Sequence, residues 1–220
     1  RVATGMGWQD DRLGTDELSF DCTAEFNSKD VGARQVNYRD IVIFAGADKL
    51  NYNLVTTTGV ANANITARPL TLTASGVNRE YNNSDIATVS FSDNRVSGDV
   101  FTVNYTASFN DKNVGVGKQV NITGISLSGT DALNYSVGET VSTTANINAK
   151  TIIISPDANQ SKLVGENDPI FTYTSTPSLY SGDSFTGALG RNPGTITPNV
   201  GNYSYTLGTL SAGPNYTLVL

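Results

Sequence analysis

Ten consecutive residues of this chain occur twice. Thr23-Ala24-Glu25-Phe26-Asn27-Ser28-Lys29-Asp30-Val31-Gly32 recurs 83 residues on as Thr106-Ala107-Ser108-Phe109-Asn110-Asp111-Lys112-Asn113-Val114-Gly115, with seven of the ten positions identical. The match extends both ways. Arg12 and Asp16 fall on Arg95 and Asp99, Gln35-Val36-Asn37 on Gln119-Val120-Asn121, and Leu50-Asn51-Tyr52 on Leu133-Asn134-Tyr135. Ala63-Asn64-Ile65 falls on Ala145-Asn146-Ile147, with single-residue slips of the kind loops absorb. A third, more diverged copy follows, because Ser97-Gly98-Asp99-Val100-Phe101-Thr102 has a counterpart in Ser181-Gly182-Asp183-Ser184-Phe185-Thr186 and the Asn-Tyr pair returns as Asn215-Tyr216. A chain repeated in this way folds as modules, each closing its own small core. The expected modules are 1–67, 68–149 and 150–220, the first without the opening strand that Pro69-Leu70-Thr71-Leu72-Thr73 supplies to the second.

Each module reads as strands. Phe101, Val103, Tyr105, Ala107 and Phe109 alternate with polar residues, and Leu18, Phe20, Cys22, Ala24 and Phe26 form the same inward row in the first copy. Shorter strands are expected at Leu70/Leu72, Val89/Phe91, Val120/Ile122, Ile125/Leu127, Val141–Ile147, Ile152–Ile154, Phe171/Tyr173, Tyr203/Tyr205/Leu207 and Tyr216/Leu218/Leu220. Gly, Asn, Asp and Pro fill the gaps, as in Ser75-Gly76-Val77-Asn78 and Asn192-Pro193-Gly194. The nearest approach to a helix is Asp183–Leu189, where Asp183 is placed to cap one or two turns. The fold class is mainly β: a tandem array of three small β-rich repeat domains. The links from Asn62-Ala63-Asn64 into Arg68-Pro69 and from Asn146-Ile147-Asn148 into Lys150 read as continuous strand. Three such units end to end form an elongated rod on the order of 100 Å long.

Composition removes whole classes of chemistry. There is no His and only one Cys, so Ser-His-Asp and Cys-His nucleophiles, His-ligated zinc and an internal disulfide cannot be built. With 14 Lys+Arg against 20 Asp+Glu, scattered along the chain, the electrostatic footprint of nucleic-acid binding is missing. The apolar runs Ile41–Ala45 and Ile152–Ile154 are far too short to span a bilayer, so no membrane insertion is expected. The opening Arg1-Val2-Ala3-Thr4 has no initiator Met and no signal pattern, and the chain is expected to be an internal or processed piece of something longer.

The third module resembles the MBG-type repeat. The stretches that carry the resemblance are Gly187-Ala188-Leu189-Gly190-Arg191-Asn192-Pro193-Gly194, Val200-Gly201-Asn202-Tyr203, Gly208-Thr209-Leu210 and Asn215-Tyr216-Thr217-Leu218. The first two modules resemble the related YDG-type repeat, with Tyr81-Asn82-Asn83 in place of the family's Tyr-Asp-Gly signature and Val164 before Gly165 where a Tyr is usual in the third. Repeats of this kind occur in large two-partner-secreted, filamentous-haemagglutinin-like bacterial adhesins. The resemblance implies export, a cell-surface or biofilm-matrix setting, sandwich-like or β-grasp-like domains, and no catalytic residues.

Candidate sites are few. Asp10-Asp11, Asp93-Asn94, Glu166-Asn167-Asp168 and the aligned Asp48 and Asp131 sit in turns whose oxygens suit Ca²⁺ at domain junctions. No Asp-x-Asp-x-Asp-Gly loop is present, and Asp and Asn are the ordinary residues of turns, which is the preferred reading. Trp8, aligned with Phe91, and most of the Tyr and Phe residues are read as core. Tyr180, Tyr203 and Tyr205 are a sugar-stacking platform only if they share one exposed face. Cys22, in the position of Tyr105, reads as a small buried hydrophobe. Sequons stand at Asn64, Asn82, Asn104, Asn121, Asn134, Asn159, Asn202 and Asn215, as many would by composition alone. No catalytic, cofactor-binding or metal residue is assigned.

The leading functional expectation is a non-enzymatic stalk or filament segment of a secreted or surface-attached adhesin, its partners the neighbouring repeats of the same polypeptide. A glycan- or mucin-binding module is the first alternative. The second is a self-associating filament subunit, its incomplete first module completed by a neighbour's strand.

Overall fold

In the computed structural model, residues 10–192 and 199–220 are described. Trp8, the opening Arg1–Thr4, and Pro193 and Gly194 of the third-module motif lie outside the described residues.

The chain is mainly β, as its periodicity requires. In order, the strands are β1 (Ser19–Phe26), β2 (Gly32–Ala45), β3 (Gly59–Ile65), β4 (Arg68–Leu70), β5 (Leu72–Gly76), β6 (Arg79–Glu80), β7 (Val89–Asp93), β8 (Thr102–Phe109), β9 (Gly115–Ser128), β10 (Tyr135–Val137), β11 (Val141–Asn148), β12 (Lys150–Pro156), β13 (Tyr173–Thr176), β14 (Gly190–Asn192), β15 (Ser204–Thr206) and β16 (Tyr216–Val219). Among the described residues the helical content is two single 3-10 turns, Lys49–Asn51 and Ala132–Asn134. The turns expected from Asp183 to Leu189 are not helical: Thr186 bridges to Ser211, and Asp183 binds tyrosine hydroxyls instead of capping. Two acceptor bonds from buried phenols outweigh a one-turn cap with no apolar face behind it.

The chain divides into two compact units. The first comprises Arg1–Thr71, Asn94–Asn104 and Ser126–Gly138, the second Leu72–Asp93, Tyr105–Ile125 and Glu139–Leu220. In the first, β1, β2 and β3 form an antiparallel sheet, and β4 pairs with β10 in parallel. In the second, β11 pairs with β9 antiparallel and with β6 in parallel, and β5 pairs with β7. There too β12 lies between β13, antiparallel, and β16, parallel, beside the β14–β15 pair.

The duplication is visible in the register. Val36 faces Ala61 and Tyr38 faces Gly59 in β2–β3; Val120 faces Thr143 and Ile122 faces Val141 in β9–β11. Both long strands carry a left-handed residue at the same point, Asp40 at φ 57° and Gly124 at φ 63°, and β1–β2 has its bulge there. A bulge of this kind needs positive φ, which Gly adopts freely and Asp tolerates at a cost. The parallel closure also repeats. Tyr135 is level with Arg68 and Tyr216 with Lys150, so the strand begun by each Asn-Tyr pair returns to the strand that opened its copy.

Of the inward-facing residues that the alternation predicts, Ala24, Phe101, Phe109, Val120, Ile122, Ile147, Ile152 and Ile154 are buried, whereas Leu18, Phe20, Phe26, Val103, Tyr105 and Ala107 are half-buried; Val36 and Ile41 of β2 are buried as well. Cys22 is half-buried rather than buried. Its row is one face of a three-stranded sheet that leaves Val42 and Phe44 exposed nearby.

Candidate functional site

One arrangement of side chains occurs three times. In each copy a tight turn presents an Asp three residues after a residue whose backbone it closes on: Asp16 on Leu13, Asp99 on Val96 and Asp183 on Tyr180, each N–H···O bond being 3.1 Å. Gly98 and Gly182 hold φ near +90° before the Asp, the conformation a turn needs at its third position. The tyrosine of the Asn-Tyr pair then stitches the turn together. Tyr52 donates to Asp16 Oδ2 at 2.6 Å and accepts the Leu13 amide at 2.8 Å. Tyr135 does the same with Asp99 Oδ2 at 2.7 Å and the Val96 amide at 2.8 Å. Tyr216 repeats it with Asp183 Oδ2 at 2.7 Å and the Tyr180 amide at 3.0 Å. Beside the first two, the paired arginines also act alike, Arg12 Nη1 donating to the Leu18 carbonyl at 3.3 Å and Arg95 Nη1 to the Phe101 carbonyl at 3.2 Å.

A loop from the preceding copy docks on two of these nodes. Between β1 and β2, Lys29 Nζ donates to Asp99 Oδ1 at 2.7 Å and Asp131 Oδ1 at 2.5 Å. The Val31 amide donates to Asn134 Oδ1 at 2.9 Å, and Asn134 Nδ2 returns a bond to Asp30 Oδ1 at 3.2 Å. Between β8 and β9 the equivalent loop repeats the amide clamp, Val114 to Asn215 Oδ1 at 2.9 Å and Asn215 Nδ2 to Asn113 Oδ1 at 3.1 Å. Its lysine goes elsewhere: Lys112 Nζ binds Asn83 Oδ1 at 2.5 Å. The third copy has Ala212 at the place of Asp131, so a second carboxylate is missing there.

Its place is taken by Tyr81, one of the largest fully buried side chains. The Tyr81 hydroxyl bonds Asp183 Oδ2 at 3.0 Å and Asn83 Oδ1 at 3.1 Å, and the ring packs edge-on against Tyr180 and Tyr216 with centroids 5.8 and 5.4 Å apart. Asn83 stands at φ 61°, the backbone conformation that the glycine of a Tyr-Asp-Gly signature supplies, and its side chain also donates to the Ser181 carbonyl at 3.3 Å. Asn is the non-glycine residue best suited to that conformation.

The electrostatics follow from these contacts. The Lys29 ammonium, with the Tyr135 hydroxyl second, holds Asp99 below the usual carboxylate range, and Lys29 with the Val100 amide does so for Asp131. Lys29 is raised in turn, first by Asp131 and then by Asp99. Burial, then the Asp183 carboxylate, pushes Tyr216 up to about 12, and burial also raises Tyr135 and Tyr81. The Lys29 ammonium held between the two carboxylates positions its loop.

The candidate Ca²⁺ turns have other partners. Asp10 binds Arg12 Nη2 at 2.5 Å, Asp131 binds Lys29, Asp48 Oδ2 accepts the Glu17 amide at 3.0 Å, and Asp168 meets Arg191 Nε at 2.9 Å and Lys162 Nζ at 2.9 Å. Among the described residues no three acidic or thiol groups converge as a metal site.

The aromatic platform does not assemble. Tyr203 and Tyr205 line a recess of about 400 Å³ with Lys162, Asp168, Phe171 and Arg191. Tyr180 belongs instead to the Tyr81–Tyr216 cluster and carries Lys150 Nζ 5.4 Å from its ring centroid. Two sequon residues, Asn134 and Asn215, use both ends of their amides within the fold, so a glycan there would displace the docked loop.

The node was partly visible as sequence identity, since Asp16, Asp99 and Asp183, the Asn-Tyr pairs, and Lys29 and Lys112 all recur. Sequence reasoning missed what those identities bind. Neither the curated proteins nor the solved structures supply a match to the chain. The family comparison does: residues 66–145 match the YDG domain family and residues 152–220 the MBG domain family of the YGX type.

Proposed function

We propose that the chain is a structural segment of a secreted or surface-attached bacterial adhesin, a piece of stalk or filament serving cell adhesion and the biofilm matrix, with no enzymatic activity of its own. In this reading 1–67, 68–149 and 150–220 are three repeats in an elongated rod. The observation that carries it is the recurring node, in which a loop of one copy is clamped by the Asn-Tyr pair of the next through the same two bonds, Val31 to Asn134 and Val114 to Asn215. A clamp used over again at each step is what a load-bearing array needs, because every junction then resists extension in the same way. At the two occupied nodes the polar side chains are hydrogen-bonded to one another. Small-angle scattering on the 220-residue chain tests the reading: an elongated monomer is expected, and a compact sphere would reject it.

A second reading rests on a different observation. The outer edge of β11 pairs with β6, through Ile147 level with Arg79, whereas β3, its copy, pairs with no further strand among the described residues. An open edge accepts a strand, and one from a neighbouring molecule would make the chain a filament subunit. Concentration-dependent sedimentation that vanishes when Asn62, whose N–H faces the open edge, is replaced by Pro supports it; a monomer at all concentrations rules it out.

A further inference from the structure

The first copy of the node has the same inner half, and among the described residues nothing docks on its outer side. In the occupied copy the two carboxylates divide their oxygens. The Oδ2 atoms serve their own repeat, Asp99 taking the Tyr135 hydroxyl and Asp131 the Val100 amide at 2.8 Å, while both Oδ1 atoms face Lys29. The first copy has the same inner half: Asp16 Oδ2 takes the Tyr52 hydroxyl at 2.6 Å and Asp48 Oδ2 the Glu17 amide at 3.0 Å. Neither Asp16 Oδ1 nor Asp48 Oδ1, nor the side chain of Asn51, has a hydrogen-bond partner among the described residues. Exposure follows occupancy. Asp131 and Tyr135 are 5% and 7% exposed under the docked loop, whereas Asp48 and Tyr52 are half-exposed and Asn51 is exposed.

We infer that Asp16, Asp48, Asn51 and Tyr52 form an open receptor for a lysine-bearing hairpin loop from another repeat of this type. Its occupant is defined by what the filled copy holds. A lysine bridges the two Oδ1 atoms, the amide two residues later binds the Asn51 carbonyl, and an Asp or Asn between them accepts from the Asn51 amide. No single-donor cation reproduces these three points. A second copy of this chain does not present one free, since the loops at Lys29 and Lys112 are already engaged in their own molecule. The occupant is therefore the corresponding loop of a further repeat. The inference rests on the repeat-array reading and names the residues by which one more repeat joins.

The test extends the whole chain at its N-terminus with a flexible Gly-Ser linker carrying residues 19–45, the hairpin that bears Lys29, in its native form and with Lys29→Met in that added hairpin alone. Tethering holds the loop at an effective concentration on the order of millimolar. With the lysine present, the carboxyl carbon signals of Asp16 and Asp48 shift, and the Asn51 side-chain amide moves. The Lys29→Met extension loses these changes, as does the lysine form on an Asp48→Asn chain. Identical Asp16, Asp48 and Asn51 signals in the lysine and Met forms would overturn the inference, with the unchanged Asp99 and Asp131 signals showing that the chain is folded. Scattering on the unextended chain tests the array reading separately.

Discussion

The backbone amide of Val31 donates to the side-chain oxygen of Asn134 at 2.9 Å, across 103 residues of sequence. Val114 and Asn215 make the same bond at the same length, 101 residues apart. Such a bond is directional and satisfies a loop amide that the strands cannot reach. It also ties together segments whose closeness owes nothing to chain continuity. The clamp joins segments from successive copies of the duplicated sequence, with the tyrosine–aspartate pair beside it as the anvil.

The anvil is testable by removing one oxygen. Tyr216→Phe takes away a buried hydroxyl that bonds Asp183 and the Tyr180 amide. The expected loss is about 1.5–3 kcal/mol, the range for a hydrogen bond to a charged group. Tyr52→Phe, at the half-exposed copy, loses about 1 kcal/mol or less because water can replace the bond. Urea unfolding with an unshifted midpoint for Tyr216→Phe would contradict this.

Much of the fold was legible in the sequence. The alternation at Phe101–Phe109 and Leu18–Phe26 follows from the two-residue period of a strand, and the duplication fixed which strands correspond. What could not be read is the partner of each conserved-looking polar group within the repeats. Asp131 and Asp183 occupy turns, and turn chemistry accounts for an Asp there whether or not a lysine from 102 residues away reaches it. Tyr180 shows the same limit: the sequence reads it as core unless it shares an exposed face with Tyr203 and Tyr205, but the structure alone gives its partner, Tyr81, whose position depends on the left-handed turn at Asn83. Periodicity reports which face a side chain leaves from; it carries no information about which distant face it meets.

Acid should loosen the Lys29 junction. Asp99 and Asp131 are lowered in the folded chain, so their contribution is fully present above the ordinary carboxylate value of about 4 and is lost as pH falls through their native values. Lys29 is raised, so its share persists up to about pH 10 and is lost above. In Lys29→Met the carboxylates are no longer held down by the ammonium, and the drop in stability from pH 6 to pH 3 becomes smaller. Unfolding midpoints at the two pH values, compared between parent and variant, decide the point; an unchanged pH dependence would refute it.

The two left-handed positions predict opposite effects of glycine. Asp40→Gly relieves a left-handed non-glycine residue and is expected to stabilise the chain by about 0.5–1 kcal/mol, while Gly124→Ala costs about 1 kcal/mol or more. The exposed Arg39–Asp40 pair, 3.5 Å apart, is lost in the first variant with little consequence. Thermal unfolding of both variants measures the difference, and Asp40→Gly less stable than the parent would count against the reading.

Asn83→Ala removes bonds to Lys112, Tyr81 and the Ser181 carbonyl and leaves a Cβ-bearing residue without side-chain compensation at positive φ. The expected cost is about 1–3 kcal/mol. Unfolding by denaturant checks it, and a variant as stable as the parent would mean that Tyr81 needs no support from this turn.

Native-state hydrogen exchange at two amides reads the clamp itself. Val31 and Val114 lie in loops, yet both are expected to exchange as slowly as neighbouring strand amides, with Asn134→Ala releasing Val31 alone and Asn215→Ala releasing Val114 alone. Exchange of both amides at the rate of open loops in the parent chain would contradict it.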